Sequence, residues 1–234
     1  MIISILIPCY NEKKTIKKLV NKVYNLKIKK EVIIVDDGSK DGTADILRSS
    51  FFKKKNTKVI FKKKNEGKGS AIISGLKKCS GQLIAIQDAD LEYNPKDLLK
   101  IFKKFNNKNI QVVYGSRVLG RRKIIKKKLI FNFRVFANFV LTLISNIINS
   151  QKLTDAHTCY KVFKSDTLKK INLREKRFSF CPEITTKLSN KNIKIIEVPI
   201  SYKGRGIEDG KKIRFIDALS ALFSLIKYKF ILRY

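Results

Sequence analysis

The chain has little that would let histidine or cysteine carry its chemistry. His157 is its only histidine, which excludes metal sites built on histidine clusters and leaves a serine triad little to use. The four cysteines, Cys9, Cys79, Cys159 and Cys181, lie far apart with no CxxC pair. They fit neither a zinc site nor a small disulfide scaffold, and read as reduced thiols of a cytosol. Acidic residues are scarce: 19 Asp+Glu stand against 52 Lys+Arg, a net charge of +33. Such a field favours a polyanionic partner, meaning nucleic acid, an anionic bilayer or phosphorylated substrates. Most of the excess is lysine, in a chain also rich in Asn and Ile, so a biased genome is a competing source of the same sign. No RNP-type aromatic strand or other nucleic-acid motif accompanies the charge, which argues against a specific nucleic-acid partner. The N-terminus, MIISILIPCYNE, lacks a basic start and turns polar too early for a signal peptide. Internal repeats and low-complexity linkers are also missing.

What is present is the pattern of one globular α/β domain. At 234 residues and 44% apolar composition the chain can bury a substantial core. Apolar, β-branched runs at Ile2 to Ile7, Glu31 to Val35, Lys58 to Phe61, Leu83 to Ile86 and Gln111 to Tyr114 read as strands. Between them lie helical stretches: Ile16, Leu19, Val20 and Val23 at helical spacing, then Thr43 to about Phe52, Ser70 to Lys78, and Pro95 to Phe105. Strands alternating with helices of this length imply βαβ crossovers and a mostly parallel, Rossmann-like sheet flanked by helices. Further on, a helix is expected at about Pro182 to Ser189, a strand at Ile193 to Val198, and a last helix on Phe215, Ile216, Leu219, Leu222, Phe223 and Ile226.

In such sheets ligands sit beyond the carboxyl ends of the strands, and each unusual polar cluster of the first half falls there. The most pointed is LIAIQDADLEYNP, residues 83–95. Its strand runs into Asp88, Asp90 and Glu92 at alternate positions, and alternation at a strand end aims side chains the same way. Three like charges so placed suit a hard divalent cation, Mg²⁺ or Mn²⁺; taken alone, the stretch also fits a solvated acidic turn. Gly67-Lys68-Gly69-Ser70 imitates the end of a Walker A loop, but Lys62 stands where its first glycine belongs, and Ile72 spoils a GxGxxG. Both nucleotide-loop readings fail, although two glycines around a lysine at a helix start still allow close approach to a phosphate.

Together these pieces resemble the family 2 glycosyltransferases of GT-A fold, and most of all the polyprenyl-phosphate sugar transferases such as dolichyl-phosphate mannosyltransferase. The resemblance rests on IPCYNE at 7–12, VDDGSKDGT at 35–43, NEGKGSA at 65–71, DADLEYNP at 88–95, GSR at 115–117 and EVPISYKGR at 197–205. It implies a nucleotide-sugar-binding half, 1–118, and an acceptor- and membrane-facing half, 119–234. It implies that Asp36, Asp37 and Asp88 meet the base or ribose, that Pro8, Tyr10 and Glu12 shape the first nucleotide loop, and that Lys68 and Ala89 line the donor site. Asp90 would bind the metal, with Glu92 as a further ligand where relatives often carry Gln. Arg117, Lys211 (or Lys212) and Arg205 would hold phosphate oxygens. Cys9 and Cys181 depart from the family pattern.

The donor so implied is of UDP-glucose or GDP-mannose type, transfer goes with inversion, and the acceptor is a polyprenyl phosphate. A phosphate monoester is largely an oxyanion at pH 7 and needs no general base. A hydroxyl acceptor, the alternative, would need one, and Asp155 or Glu183 is the candidate. A lipid acceptor places the enzyme on the cytoplasmic face of an anionic membrane. The best contact is 121–149: Arg121, Arg122, Lys123 and Lys126 to Lys128, then a helix with a narrow polar stripe of Arg134, Asn138, Thr142, Ser145 and Asn149. Its uncharged part falls short of the ~20 apolar residues of a span, so a helix lying in the interface is expected.

Overall fold

The computed structural model describes residues 1–122, 133–204 and 215–232. Its centre is a seven-stranded sheet built from β1 (Ile3–Cys9), β2 (Lys30–Asp36), β3 (Thr57–Phe61), β4 (Leu83–Ile86), β5 (Val112–Ser116), β6 (Lys161–Lys164) and β7 (Ile195–Pro199). Their order in space is β3-β2-β1-β4-β6-β5-β7. All neighbours run parallel except β6, which is antiparallel to both β4 and β5. The helices are α1 (Ile16–Tyr24), α2 (Thr43–Ser50), α3 (Lys68–Leu76), α4 (Asp97–Lys104), α5 (Arg117–Arg122), α6 (Phe133–Asn149), α7 (Ser165–Lys169), α8 (Phe180–Asn190) and α9 (Phe215–Ile226). A π-helical turn, Lys227–Ile231, continues α9.

Side-chain parity along the strands explains the layers. Ile3, Ile5, Ile7 and Cys9 of β1, with Val32 and Ile34 of β2, enter one core with Ile16, Leu19, Val20 and Val23 of α1 and Leu98 and Ile101 of α4. Leu6, Ile33 and Val35 point the other way, onto Ala71 and Ile72 of α3 and Ile184 and Leu188 of α8. A sheet covered on both faces needs continuous apolar strands, which is why β1, β2 and β4 stand out in the sequence.

β6 was not expected, and the reason is chemical. Its four residues read Lys-Val-Phe-Lys, too short and too charged at the ends to signal a strand. Yet Lys161 is fully buried, with its Nζ donating to the Ala156 carbonyl at 2.9 Å and standing 3.6 Å from the Tyr114 ring centroid. A cation–π contact and one carbonyl thus put a lysine where a strand would normally spend a hydrophobe.

Candidate active site

Parallel register brings the carboxyl ends of β1, β2 and β4 together: Cys9 pairs with Asp36, and Leu6 with Ile86. The loops leaving them are stitched to one another. Asn11 sits in the left-handed region at φ 52°; its N–H donates to Ser39 Oγ at 2.9 Å, and its Oδ1 accepts from the Lys40 N–H at 2.9 Å. The Glu12 N–H donates to Thr43 Oγ1 at 2.8 Å, and Lys13 N–H to Asp41 Oδ2 at 3.0 Å. Asp41 and Thr43 of the DGT triplet are therefore struts between these loops. Pro8 is the penultimate residue of β1, Tyr10 is half-buried beyond it, and the Glu12 carboxylate accepts from Thr15 Oγ1 at 2.6 Å.

Asp36 and Asp37 are both buried. The Asp36 carboxylate accepts from the Ser39 hydroxyl and N–H. Asp37 accepts from Lys62 Nζ at 2.6 Å, Gly67 N–H at 2.7 Å and Glu66 N–H at 3.1 Å. One carboxylate with three charge-assisted or backbone donors is a strong tie, so Asp37 holds the loop before α3 against the end of β2. The glycines of that loop answer to protein rather than to a phosphate. A Cβ on Gly69 would lie 2.1 Å from the Glu175 carbonyl oxygen, and one on Gly67, which has φ +102°, would lie 2.5 Å from the Lys176 carbonyl oxygen. Ser70 N–H donates to that same Lys176 oxygen at 2.9 Å. Gly69→Ala is accordingly expected to cost about 1–3 kcal/mol by overpacking, read as a lowered denaturant midpoint; an unchanged midpoint would refute the close approach.

The DAD segment departs from the expected geometry. β4 ends at Ile86, and the chain then turns, with Leu91 left-handed at φ 62°. Alternation aims side chains together only along an extended strand, and here each of the three carboxylates takes a different protein partner. Asp88 is ion-paired with Lys68, whose Nζ also lies 3.0 Å from Cys159 Sγ. Asp90 accepts from the Glu92 N–H at 3.1 Å, and Glu92 accepts from the Tyr202 hydroxyl at 2.6 Å. Ala89 between them is buried. Among the described residues no group of three acidic, histidine or cysteine side chains is placed to hold a metal ion. Burial, then the charges of Asp88 and Glu92, push the Asp90 carboxyl up to about 7, a repulsion that a bound cation would relieve. Oxygen donors that repel one another suit Mg²⁺, which commonly takes one or two carboxylates and completes its shell with substrate phosphates and water.

The second cluster lies at the end of β5. Arg117 opens α5 and grips Asp155: Nε to Oδ2 at 2.7 Å, Nη2 to Oδ1 at 2.8 Å, and its own N–H to Oδ2 at 3.1 Å. Asn138 of α6 adds Nδ2 to Oδ1 at 3.3 Å. Burial alone would raise the Asp155 carboxyl, but these bonds and the guanidinium charge outweigh it and hold it below the usual carboxylate range. Glu197 of β7 fixes the turn from beneath, accepting from the Thr154 and Asp155 N–H groups at 2.7 and 3.0 Å. Asp155 is therefore a counter-ion with its lone pairs taken, which corrects its expected candidacy as a general base. Glu183 is likewise committed, to the Arg174 and Glu175 N–H groups at 2.8 and 2.9 Å and to Lys187 at 2.6 Å.

Tyr202 joins the two clusters. Its hydroxyl binds Glu92, and its ring lies under the Arg117 guanidinium at 5.3 Å. Tyr93 stacks on Tyr160 at 4.7 Å and meets Tyr202 edge-on at 5.2 Å. None of the three tyrosines was singled out as a site residue from sequence, although Tyr93 and Tyr202 lie inside motifs that were. Arg205, Lys211 and Lys212 lie outside the described residues.

Comparisons with known proteins bear on the family and the fold. The family model described as glycosyl transferase family 2 matches residues 4–171. The UDP-N-acetylglucosamine–dolichyl-phosphate N-acetylglucosaminyltransferase of Methanococcus voltae is 33% identical over 216 residues, covering 85% of this chain and 84% of that protein. The dolichyl-phosphate beta-glucosyltransferase of Dictyostelium discoideum is 26% identical over 251 residues, covering 97% and 74%. Among solved structures, glucosyl-3-phosphoglycerate synthase from Mycobacterium tuberculosis with Mn²⁺, UDP and phosphoglyceric acid superposes with a TM-score of 0.69 at 16% identity, over 98% of this chain and 78% of that one. At that identity the likeness speaks for the fold alone. With the family model matching well over half of its length and a relative 33% identical over most of both chains, the chain belongs to glycosyl transferase family 2.

Proposed function

We propose that the protein transfers a sugar from a uridine-diphosphate donor to the phosphate of a polyprenyl phosphate. One observation carries the choice of acceptor: the two carboxylates that would serve a hydroxyl nucleophile as general base, Asp155 and Glu183, are buried and fully hydrogen-bonded. A phosphate acceptor is already an oxyanion at neutral pH and needs no base. Its demand is electrostatic, because two anions must approach each other, and Arg117 answers it from the end of β5. The names of the Methanococcus and Dictyostelium relatives support the same acceptor class, and the former supports uridine.

On this reading Pro8, Tyr10, Glu12, Asp36 and Asp37 form the nucleoside side of the pocket, Lys68 and Ala89 line it, and Asp88 and Asp90 face the diphosphate. Asp90, with Asp88, would hold Mg²⁺ or Mn²⁺, which neutralises charge on the departing diphosphate. The solved synthase, a complex with Mn²⁺ and UDP, supports a divalent metal as cofactor. Glu92 keeps Tyr202 in place below Arg117.

A thermal-shift screen of UDP- and GDP-sugars with and without Mn²⁺ tests the donor. Stabilisation by a UDP-sugar of about 2–3 kcal/mol near one hundred times its Kd, present only with metal, is the expected outcome. Transfer to a sugar hydroxyl at a rate matching a short prenyl phosphate would overturn the acceptor.

A further inference from the structure

Glu175 faces two ways. It lies in the irregular segment between α7 and α8, and its main chain abuts the start of α3, which carries Lys68. A Cβ on Gly69 would collide with the Glu175 carbonyl and one on Gly67 with the Lys176 carbonyl, so both glycines pack directly on the 175–176 backbone. The Ser70 N–H donates to that Lys176 carbonyl at 2.9 Å. A helix start ordinarily offers such N–H groups to an anion; here a protein carbonyl takes one of them. From the other side, the Gly67 N–H donates to Asp37 at 2.7 Å. The turn Gly67-Lys68-Gly69 is therefore clamped between the end of β2 and residues 175–176. Lys68 Nζ leaves that clamp to pair with Asp88.

The side chain of Glu175 reaches the far end of the chain. Its Oε1 accepts from Lys227 Nζ at 2.9 Å and from the Tyr228 hydroxyl at 2.7 Å. Both donors stand on the π-helical turn Lys227–Ile231, where the Leu232 N–H donates to the Lys227 carbonyl at 2.7 Å. Such turns are rare and are frequent at functional sites. Tyr228 is itself held: it is fully buried, Lys187 Nζ lies 4.3 Å from its ring centroid, and its carbonyl accepts from Asn190 Nδ2 at 2.9 Å. Burial, then the Glu175 carboxylate, keep its phenol above the usual range, so it remains a donor at neutral pH. Burial alone would raise the Glu175 carboxyl, but the bonds from Tyr228 and Lys227 hold it below its ordinary value. The Arg174 and Glu175 N–H groups also donate to Glu183. Those are main-chain bonds that any residue at 175 would make, whereas the ties to 227 and 228 belong to this side chain.

We propose that Glu175 is a positioning residue for the donor: it fastens residues 175–176 beneath the Gly67-Lys68-Gly69 turn, anchored on the C-terminal π-helical turn, and so fixes where Lys68 Nζ meets the donor diphosphate. This rests on the donor pocket assigned above, in which Lys68 lines the site. A remote carboxylate can matter because a charged group aimed at a diphosphate loses much of its effect when it shifts by about 1 Å. The two glycines have no side chains with which to hold the turn themselves. A carboxylate that only stabilised the fold would, on removal, lower the fraction of active protein and leave the affinity of the rest unchanged.

Titration calorimetry of the full chain with UDP in saturating Mn²⁺, alongside the donor KM, separates these roles. Glu175→Ala, checked for folding by circular dichroism, should weaken UDP binding about tenfold and raise the donor KM by a similar factor, with the acceptor KM unchanged. Glu175→Gln keeps an oxygen to accept from Tyr228 and should recover most of the loss. Tyr228→Phe deletes a single hydroxyl and should cost about threefold; it carries the test if the alanine variant does not fold. In a Lys68→Gln background, Glu175→Ala should change UDP affinity no further, because two links of one chain are not additive. Unchanged UDP affinity in the Glu175→Ala and Tyr228→Phe variants overturns the proposal and leaves the donor pocket standing, as does a loss that simply adds to that of Lys68→Gln. Wild-type UDP affinity in Lys68→Gln itself removes Lys68 from the pocket, and the proposal with it.

Discussion

Asp90→Asn is expected to abolish sugar transfer and, in the same molecule, to raise the melting temperature above pH 7. The two effects share one cause. Burial and the neighbouring charges of Asp88 and Glu92 lift the Asp90 carboxyl from 3.8 to about 7, so the fold favours its protonated form. That contribution to stability is fully present below about pH 4 and is lost as pH rises through 7, where the folded protein must carry the ionised group and the unfolded chain carries it freely. The difference corresponds to about 4 kcal/mol at the upper end. An amide never ionises, so in chelator at pH 8 the variant should melt several degrees higher, at roughly 2–4 °C per kcal/mol for a chain of this size. At pH 4 the two proteins should melt together. Wild type should recover the difference when Mn²⁺ and donor are supplied, and the variant should not. Near-normal turnover by the variant, in chelator and in Mn²⁺ alike, would remove Asp90 from the metal site. A drop in melting temperature at pH 8 would show that the carboxylate holds the turn through the Glu92 N–H rather than straining it.

Arg117→Ala should cost both stability and turnover. The substitution strands Asp155, whose side chain is 0% exposed, with only the N–H of residue 117 and the Asn138 amide to meet its charge. Breaking a buried pair from one side costs about 3–5 kcal/mol. Arg117→Lys discriminates between the roles. A lysine restores the charge as a point donor but not the fork that engages both Asp155 oxygens, so part of the stability should return while transfer stays low. Donor binding, followed by thermal shift, should change little in either folded variant, because the loops proposed to hold the nucleoside hang on Asp36, Asp37 and Asn11 instead. If Arg117→Lys recovers turnover in proportion to stability, the guanidinium is a structural counter-ion and the acceptor phosphate is held elsewhere.

Where the sequence was legible, one physical rule acted alone. β1, β2 and β4 are buried on both faces, so their central residues are apolar, and the polar clusters after them had to lie at the sheet's carboxyl edge. The fate of Asp88, Asp90 and Glu92 was not legible, because alternation speaks for shared direction only while the backbone stays extended, and Leu91 turns it. The partner of Arg117 lies 38 positions along and belongs to no motif with it, so only the packed structure joins them. In α6 the spacing of Asn138, Thr142, Ser145 and Asn149 revealed that they share a face, but periodicity carries no information about what that face touches. The tyrosines fell between these cases: Tyr93 and Tyr202 were visible inside quoted motifs, yet nothing short of the bridge between them shows that they meet.

The reversed strand β6 has a consequence for how the protein is made. β1 to β4 are contiguous in the chain's first 86 residues, and they can pair as they leave the ribosome. The next place in the sheet belongs to residues 161–164, synthesised after both β5 and α6. Until then β4 is an unpaired edge and β5 has no neighbour to join it to the sheet, since its other partner, β7, comes later still. An apolar edge waiting on distant sequence is a template for pairing with other chains. For a nascent chain of this protein, the interval between residues 86 and 164 is the one in which that edge stands open.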